Sequence, residues 1–214
     1  MPDQAATPKF RRRAEARPDE VLDAALRLFT EKGYARTTME QVAREAGISK
    51  GAVYLYFPSK AALLEGLVQR AISPFAAAAV QGLEGYRGDP RPVIRRVLTM
   101  IVAQATAPQA LAVPQMVIRE AVHVPEIAQM YRDNVLDRVI PALTRLIAQG
   151  VEGGHIRDVD PELTVRSVVG PIMVHVALAE VFGIQPAGGL AMDRLVENHL
   201  TILFAGLEPE KGRA

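Results

Sequence analysis

Cysteine is absent from the 214 residues. Disulfides, thiolate metal sites and cysteine nucleophiles are therefore excluded, and a reducing compartment is the natural setting. The uncharged run from Ser167 to Ala179 carries Pro171 and His175 and falls short of the roughly 20 residues a spanning helix needs. No apolar stretch follows the basic residues of MPDQAATPKFRRRAEARPDE, so no secretory signal is expected. A cytoplasmic protein with no membrane partner is the expectation. Strand signals are scarce: alternation is not sustained, Asn-Gly hairpins are missing and aromatics are few. His123, His155, His175 and His199 have no helical pairing or zinc-site spacing. With no Gly-rich phosphate loop, nucleophile elbow or evident carboxylate pair, neither metal, cofactor nor catalysis is expected.

Hydrophobic residues make up 49% of the chain and charged ones 23%, the balance of a globular protein. Net charge is only +1, but it is unevenly placed. Residues 1–60 carry 11 Lys/Arg against 8 Asp/Glu, and the remainder 14 against 16. A basic front on a mildly acidic body suits nucleic-acid contact by one end.

Helical spacing recurs nearly everywhere and predicts an all-α protein. A first helix is expected from Pro18, with Asp19 and Glu20 favouring its positive end. Leu22, Ala25, Leu26 and Phe29 form its buried stripe, and Gly33 ends it in a left-handed cap. Thr37 and Glu40 fit a capping box opening a second helix, whose apolar face is Met39, Val42, Ala43 and Ala46. Gly47 stops it. Ser49 caps a short third helix to about Phe57, and Ser59 caps a fourth carrying Leu63, Leu64, Leu67 and Val68. Further on, Val93 to Thr106 reads as a helix with Val97, Met100 and Ile101 inward. Residues 107–114 read as irregular, ahead of a short helix from Gln115 to Val122. A long helix from Pro125 to Gln149 is kinked or split by Pro141. Pro161 to Phe182 and Met192 to Phe204 complete the set. Residues 1–16 read as a disordered basic arm, 17–62 as a small head, and 63–214 as a larger helical bundle.

Two short helices around a glycine turn, QVAREAGISKGAVYL at Gln41 to Leu55, make a helix-turn-helix. Small Ala43 suits the helix crossing, Gly47 the tight turn, and Ile48 and Val53 lock the second helix. Ser49, Lys50, Gly51, Tyr54 and Tyr56 are then presented outward, on a helix that fits a major groove about 12 Å wide. Over Leu28 to Leu64, LFTEKGYARTTMEQVAREAGISKGAVYLYFPSKAALL resembles the DNA-binding domain of the TetR family almost position by position. The resemblance implies an N-terminal three-helix head on a helical ligand-binding and dimerisation domain. It further implies an Ω-shaped homodimer whose two recognition helices enter successive major grooves of a palindromic double-stranded operator. Carried over by residue, it implies a phosphate contact from Thr38 and base-facing positions at Ser49, Lys50 and Gly51. Tyr54 and Tyr56 take backbone contacts, and Lys60 clamps a phosphate at a helix N-terminus, where anions are already attracted. Ala52 departs from the polar base-reading residue sometimes found there and leaves thymine-methyl contact or DNA shape to supply specificity. Arg11-Arg12-Arg13 reads either as a solvated tail or as an arm reaching an adjacent minor groove.

The helix from Leu163 to Phe182 is apolar nearly all round, so it needs cover on both sides. A dimer interface from Leu163–Phe182 and Met192–Phe204 supplies the second side, with Gly170 and Ala177 allowing close approach. Met100, Met116 and Met173 are flexible apolar candidates to line a cavity for a small hydrophobic or aromatic effector. His123, Tyr131 and His175 are its polar anchors. The expected function is a ligand-released repressor. An activator of the same kind, and a small-molecule carrier or vestigial enzyme, are the competing readings.

Overall fold

The computed structural model describes residues 9–83, 85–105 and 112–209. Among these residues the chain forms eleven α-helices and one π turn, with no strand. It divides into two compact units, a head up to Leu67 and a body from Val68.

The head contains α1 (Lys9–Lys32), α2 (Met39–Glu45), α3 (Lys50–Tyr56) and the first part of α4 (Lys60–Ala71). α1 starts well before Pro18, which lies inside it. The sequence predicts residues 9–16 to be part of a disordered arm, with the helix opening at Pro18. RRRAEAR is instead rich in good helix formers, and a proline removes only one ladder bond. The expectation for residues 1–8 falls outside the described residues. Leu22, Ala25, Leu26 and Phe29 are buried as their spacing predicts. Gly33 closes the helix with φ 84° and donates its N–H to the Phe29 carbonyl at 3.0 Å.

The next cap is one residue later than expected. Thr38, not Thr37, is the N-cap of α2, and its box partner is Gln41 rather than Glu40. Thr37 is buried, and its hydroxyl donates to the Gly33 carbonyl at 2.9 Å and that of Leu28 at 3.3 Å. The sequence T-T-x-E-Q satisfies the box in either register; the orphan carbonyls at the end of α1 take the first threonine. After α2, Gly47 adopts φ 67°. The Ile48 N–H reaches the Ala43 carbonyl at 3.0 Å and the Gly47 N–H that of Arg44 at 3.2 Å. This pair of bonds is a Schellman stop. Ser49 caps α3 through Ala52 N–H at 3.2 Å, and Ser59 caps α4 through Ala62 N–H at 3.1 Å.

The body contains α5 (Ser73–Leu83), α6 (Pro90–Ala105), α7 (Ala112–Glu120), α8 (Pro125–Tyr131), a π turn (Arg132–Leu136), α9 (Asp137–Glu152), α10 (Pro161–Phe182) and α11 (Met192–Leu207). α9 packs against α5 and α10, and α6 against α11. α6 is turned from the expected face: Val93, Ile94, Leu98 and Val102 are buried, whereas Val97 and Met100 are half-buried and Ile101 exposed. Both rows have helical spacing, and packing against α9 and α11 selects one. The residues between Ala105 and Ala112 lie outside the description, and α7 starts three residues earlier than its expected start.

The long helix splits, but one turn ahead of Pro141 rather than at it. The Asp137 N–H reaches back five residues to the Arg132 carbonyl, and Pro141 then sits within α9. Ile127 before the wide turn and Leu143, Leu146 and Ile147 after it are all buried. α10 is capped by Asp160, which accepts the Leu163 N–H at 2.9 Å, and is stopped by left-handed Gly183. By length and composition α10 meets the requirement for a bilayer span. However, Val165, Val168, Ile172 and Val176 belong to the core cluster of the body. Leu163, Met173, Val174, Val181 and Phe182 are exposed. α10 is thus half core helix and half uncovered.

Candidate nucleic-acid interface

Met39, Val42 and Ala43 of α2 and Val53 of α3 turn into the head. The period of 3.6 then sends Lys50, Gly51, Tyr54 and Leu55 outward. Ser49, Lys50, Gly51, Tyr54 and Tyr56 are all exposed, as the sequence predicts, and Ala52 is half-buried. Lys50 pairs with Glu40 across the two helices, and its ammonium lies 5.7 Å from the centre of the Tyr54 ring. The hydrogen bond and charge of Lys50 hold the Glu40 carboxyl below the usual carboxylate range, and Glu40 in turn raises the Lys50 ammonium. Both groups therefore stay ionised at neutral pH.

Sequence reading missed two residues of this face. Leu55 is 85% exposed; two positions from the buried Val53 on a helix, it must point away from the core, and that spacing was available as a signal. Glu40 was read as a cap. Freed from capping by Gln41, its carboxylate reaches α3 instead.

Thr38 is exposed, and its hydroxyl oxygen accepts the Gln41 N–H at 3.3 Å while its own N–H donates to Gln41 Oε1 at 2.9 Å. The Thr38 hydroxyl also hydrogen-bonds the Glu40 side chain, which helps to lower that carboxyl. Lys60 is turned toward the head itself. Its Nζ donates to the carbonyls of Tyr34, Ala35 and Thr37 at 2.7, 3.1 and 3.1 Å and lies 4.4 Å from the Tyr34 ring centre. An ammonium has three protons, and here carbonyls take them. In this structure Lys60 clasps the α1–α2 connection to α4.

None of the six effector candidates lines a small cavity found in the body. That cavity, about 170 Å³, lies between α5 and α9 and is lined by Val80, Leu83, Gly85, Ala142, Arg145, Leu146 and Gln149. Met116 is fully buried core, His123 is exposed in the turn after α7, and Met173 lies on the uncovered side of α10. His175 Nε2 is bonded to the Leu190 carbonyl. Met100 is half-buried; Tyr131 is half-buried too, with burial pushing its phenol up. Among the described residues no group of His, Asp or Glu is arranged to hold a metal ion.

A helix-turn-helix with an exposed, cation-bearing second helix, attached to an all-helical body, defines a transcriptional regulator. Residues 21–67 match the family described as bacterial regulatory proteins, tetR family, and residues 86–197 match the tetracyclin repressor-like C-terminal domain. The second match alone covers more than half of the chain, and the protein belongs to the TetR family. The transcriptional regulator EthR of Mycolicibacterium smegmatis is 26% identical over 198 residues, covering 90% of this chain and 88% of EthR. AcrR of Shigella flexneri is 29% identical over 94 residues, 44% of each chain. The chain spans less than half the length of the first curated relatives it matches. Among solved structures, SmeT, the repressor of the Stenotrophomonas maltophilia multidrug efflux pump SmeDEF, is 22% identical with a TM-score of 0.74, covering 92% of this chain and 93% of that one. SmeT is also known in complex with triclosan.

Proposed function

We propose that this regulator is a cytoplasmic repressor that binds a palindromic operator as an Ω-shaped dimer and is released by a small hydrophobic effector. The observation that carries the DNA reading is the outer face of α3, where Lys50, Gly51, Tyr54, Leu55 and Tyr56 stand exposed on a Ser49-capped helix behind the Gly47 turn. A helix so presented places its N-terminal residues at base edges and its aromatics at the backbone. Ser49 and Lys50 are the base-facing residues, Ala52 lies beside them for a thymine methyl, and Thr38, Tyr54 and Tyr56 take phosphate and sugar. Dimerisation is supported by the uncovered apolar side of α10 together with exposed Ile202 on α11. Repression and effector release are supported by SmeT, named a repressor and known with triclosan bound. An effector that favours one conformation of the body lowers operator affinity, and operator lowers effector affinity by the same factor.

Selection of bound duplexes from a random DNA library tests this reading. Wild type is expected to enrich a palindrome with half-sites about one helical turn apart, and Lys50→Ala combined with Tyr54→Ala to lose it. Equal, salt-sensitive binding of every sequence by wild type would show an electrostatic surface only.

A further inference from the structure

Glu40 places a carboxylate on the face proposed for DNA, more than half exposed and paired with Lys50, the first residue of α3. Against a phosphate backbone such a group is unfavourable, because it adds repulsion where each neutralised phosphate would release a counterion. It becomes favourable only where it accepts a hydrogen bond. In the major groove the base-edge donors are the N4 amine of cytosine and the N6 amine of adenine. The two pairs differ in what flanks that amine. Adenine N6 lies between two acceptors, its own N7 and thymine O4, so an approaching carboxylate is repelled from both sides. Cytosine N4 has an acceptor on one side only, guanine O6, with guanine N7 beyond it. A G·C pair thus presents a donor beside a run of acceptors. Glu40 and Lys50 form the complement, an anion in contact with a cation.

Resting on the operator-binding reading above, we propose that Glu40 is a specificity-determining residue and that it reads one G·C pair per half-site jointly with Lys50. One Glu40 oxygen accepts from cytosine N4 while Lys50 donates to guanine O6 and N7 of the same pair. The other Glu40 oxygen keeps its bond to Lys50, which holds the ammonium in register over the guanine. Tyr54, on the same side of α3 as Lys50 and beneath its ammonium, limits the lysine to this direction. The carboxylate also weakens binding to unrelated DNA, where no amine is in place to offset its repulsion, so it sharpens the choice of site from both sides.

The test is duplex selection with wild type, Glu40→Ala, Glu40→Gln and Lys50→Met, followed by affinity measurements on the selected operator and on a non-operator duplex. Wild type is expected to require G·C at one position of each half-site, by roughly five- to a hundred-fold over other pairs. Glu40→Ala loses that requirement, keeps the others, and binds non-operator DNA more tightly than wild type. Glu40→Gln moves the preference at the same position toward A·T, because an amide pairs in bidentate fashion with adenine N6 and N7. Lys50→Met loses the same position. A merely structural role for Glu40 would lower affinity at every position alike and would not exchange one base preference for another. Thermal melting followed by circular dichroism shows that each variant is folded. If wild type selects a palindrome and Glu40→Ala keeps every base preference, the proposal is overturned while operator binding stands. If wild type selects nothing, operator binding and the proposal fall together.

Discussion

Lys60 gathers three carbonyls of the α1–α2 connection, so its contribution belongs to the head's own stability. Lys60→Met removes these charge-assisted bonds and is expected to cost about 1–3 kcal/mol in urea unfolding. The salt dependence of operator binding should keep its slope, whereas loss of a direct phosphate contact would reduce it by about one. The adjacent threonines separate two kinds of hydroxyl. Thr38→Ala loses an N-cap worth about 1 kcal/mol. Thr37→Val leaves the buried carbonyls of Leu28 and Gly33 short of a donor and is expected to cost about 1–3 kcal/mol. Chemical denaturation of the two variants distinguishes them, with the larger loss expected at Thr37; a larger loss at Thr38 would contradict the observed register. Neither Lys60 nor this register could be read from residue types alone. A lysine at the start of a helix suits a phosphate or a set of carbonyls equally well, and only the path of the chain 25 residues earlier decides between them.

Elements were most legible where a local requirement coincided with a packing requirement. Gly47 met the need for a positive φ, Ser49 the need for a cap, and Val53 the need for one buried anchor, so the α2–α3 turn followed from the sequence. Where local and distant requirements diverged, the sequence was ambiguous. α6 carries two apolar rows, and neither has an internal reason to win. The π turn is invisible to a period of 3.6, because it interrupts that period without a proline or glycine of its own. The start of α6 also carries a close approach. A methyl group added at Gly150 of α9 would lie 2.7 and 2.8 Å from ring carbons of the buried Pro90. Gly150→Ala is therefore expected to destabilise the body by about 1–3 kcal/mol through overpacking, read as a lower urea midpoint at unchanged slope.

For the whole molecule the decisive surface is the uncovered side of α10. Leu163, Gly170, Val174 and Val181 recur at intervals of seven, four and seven residues, a line down one face of a helix. Val174 is 58% exposed, and among the described residues no neighbouring atom lies within 4 Å of a methyl group built at Gly170. Val174→Arg is expected to halve the mass measured by light scattering and to abolish binding to a full palindrome. A variant that remains dimeric would place the interface elsewhere. The cores behind these surfaces are drawn from separate stretches of sequence. That of the head includes Val21 through Leu67, and the main cluster of the body runs from Leu83 to Leu207. The consequence is one of inheritance. A substitution that reshapes what the body senses is judged by neighbours that take no part in reading DNA, so descendants of this gene can acquire new signals while keeping their old address on the chromosome.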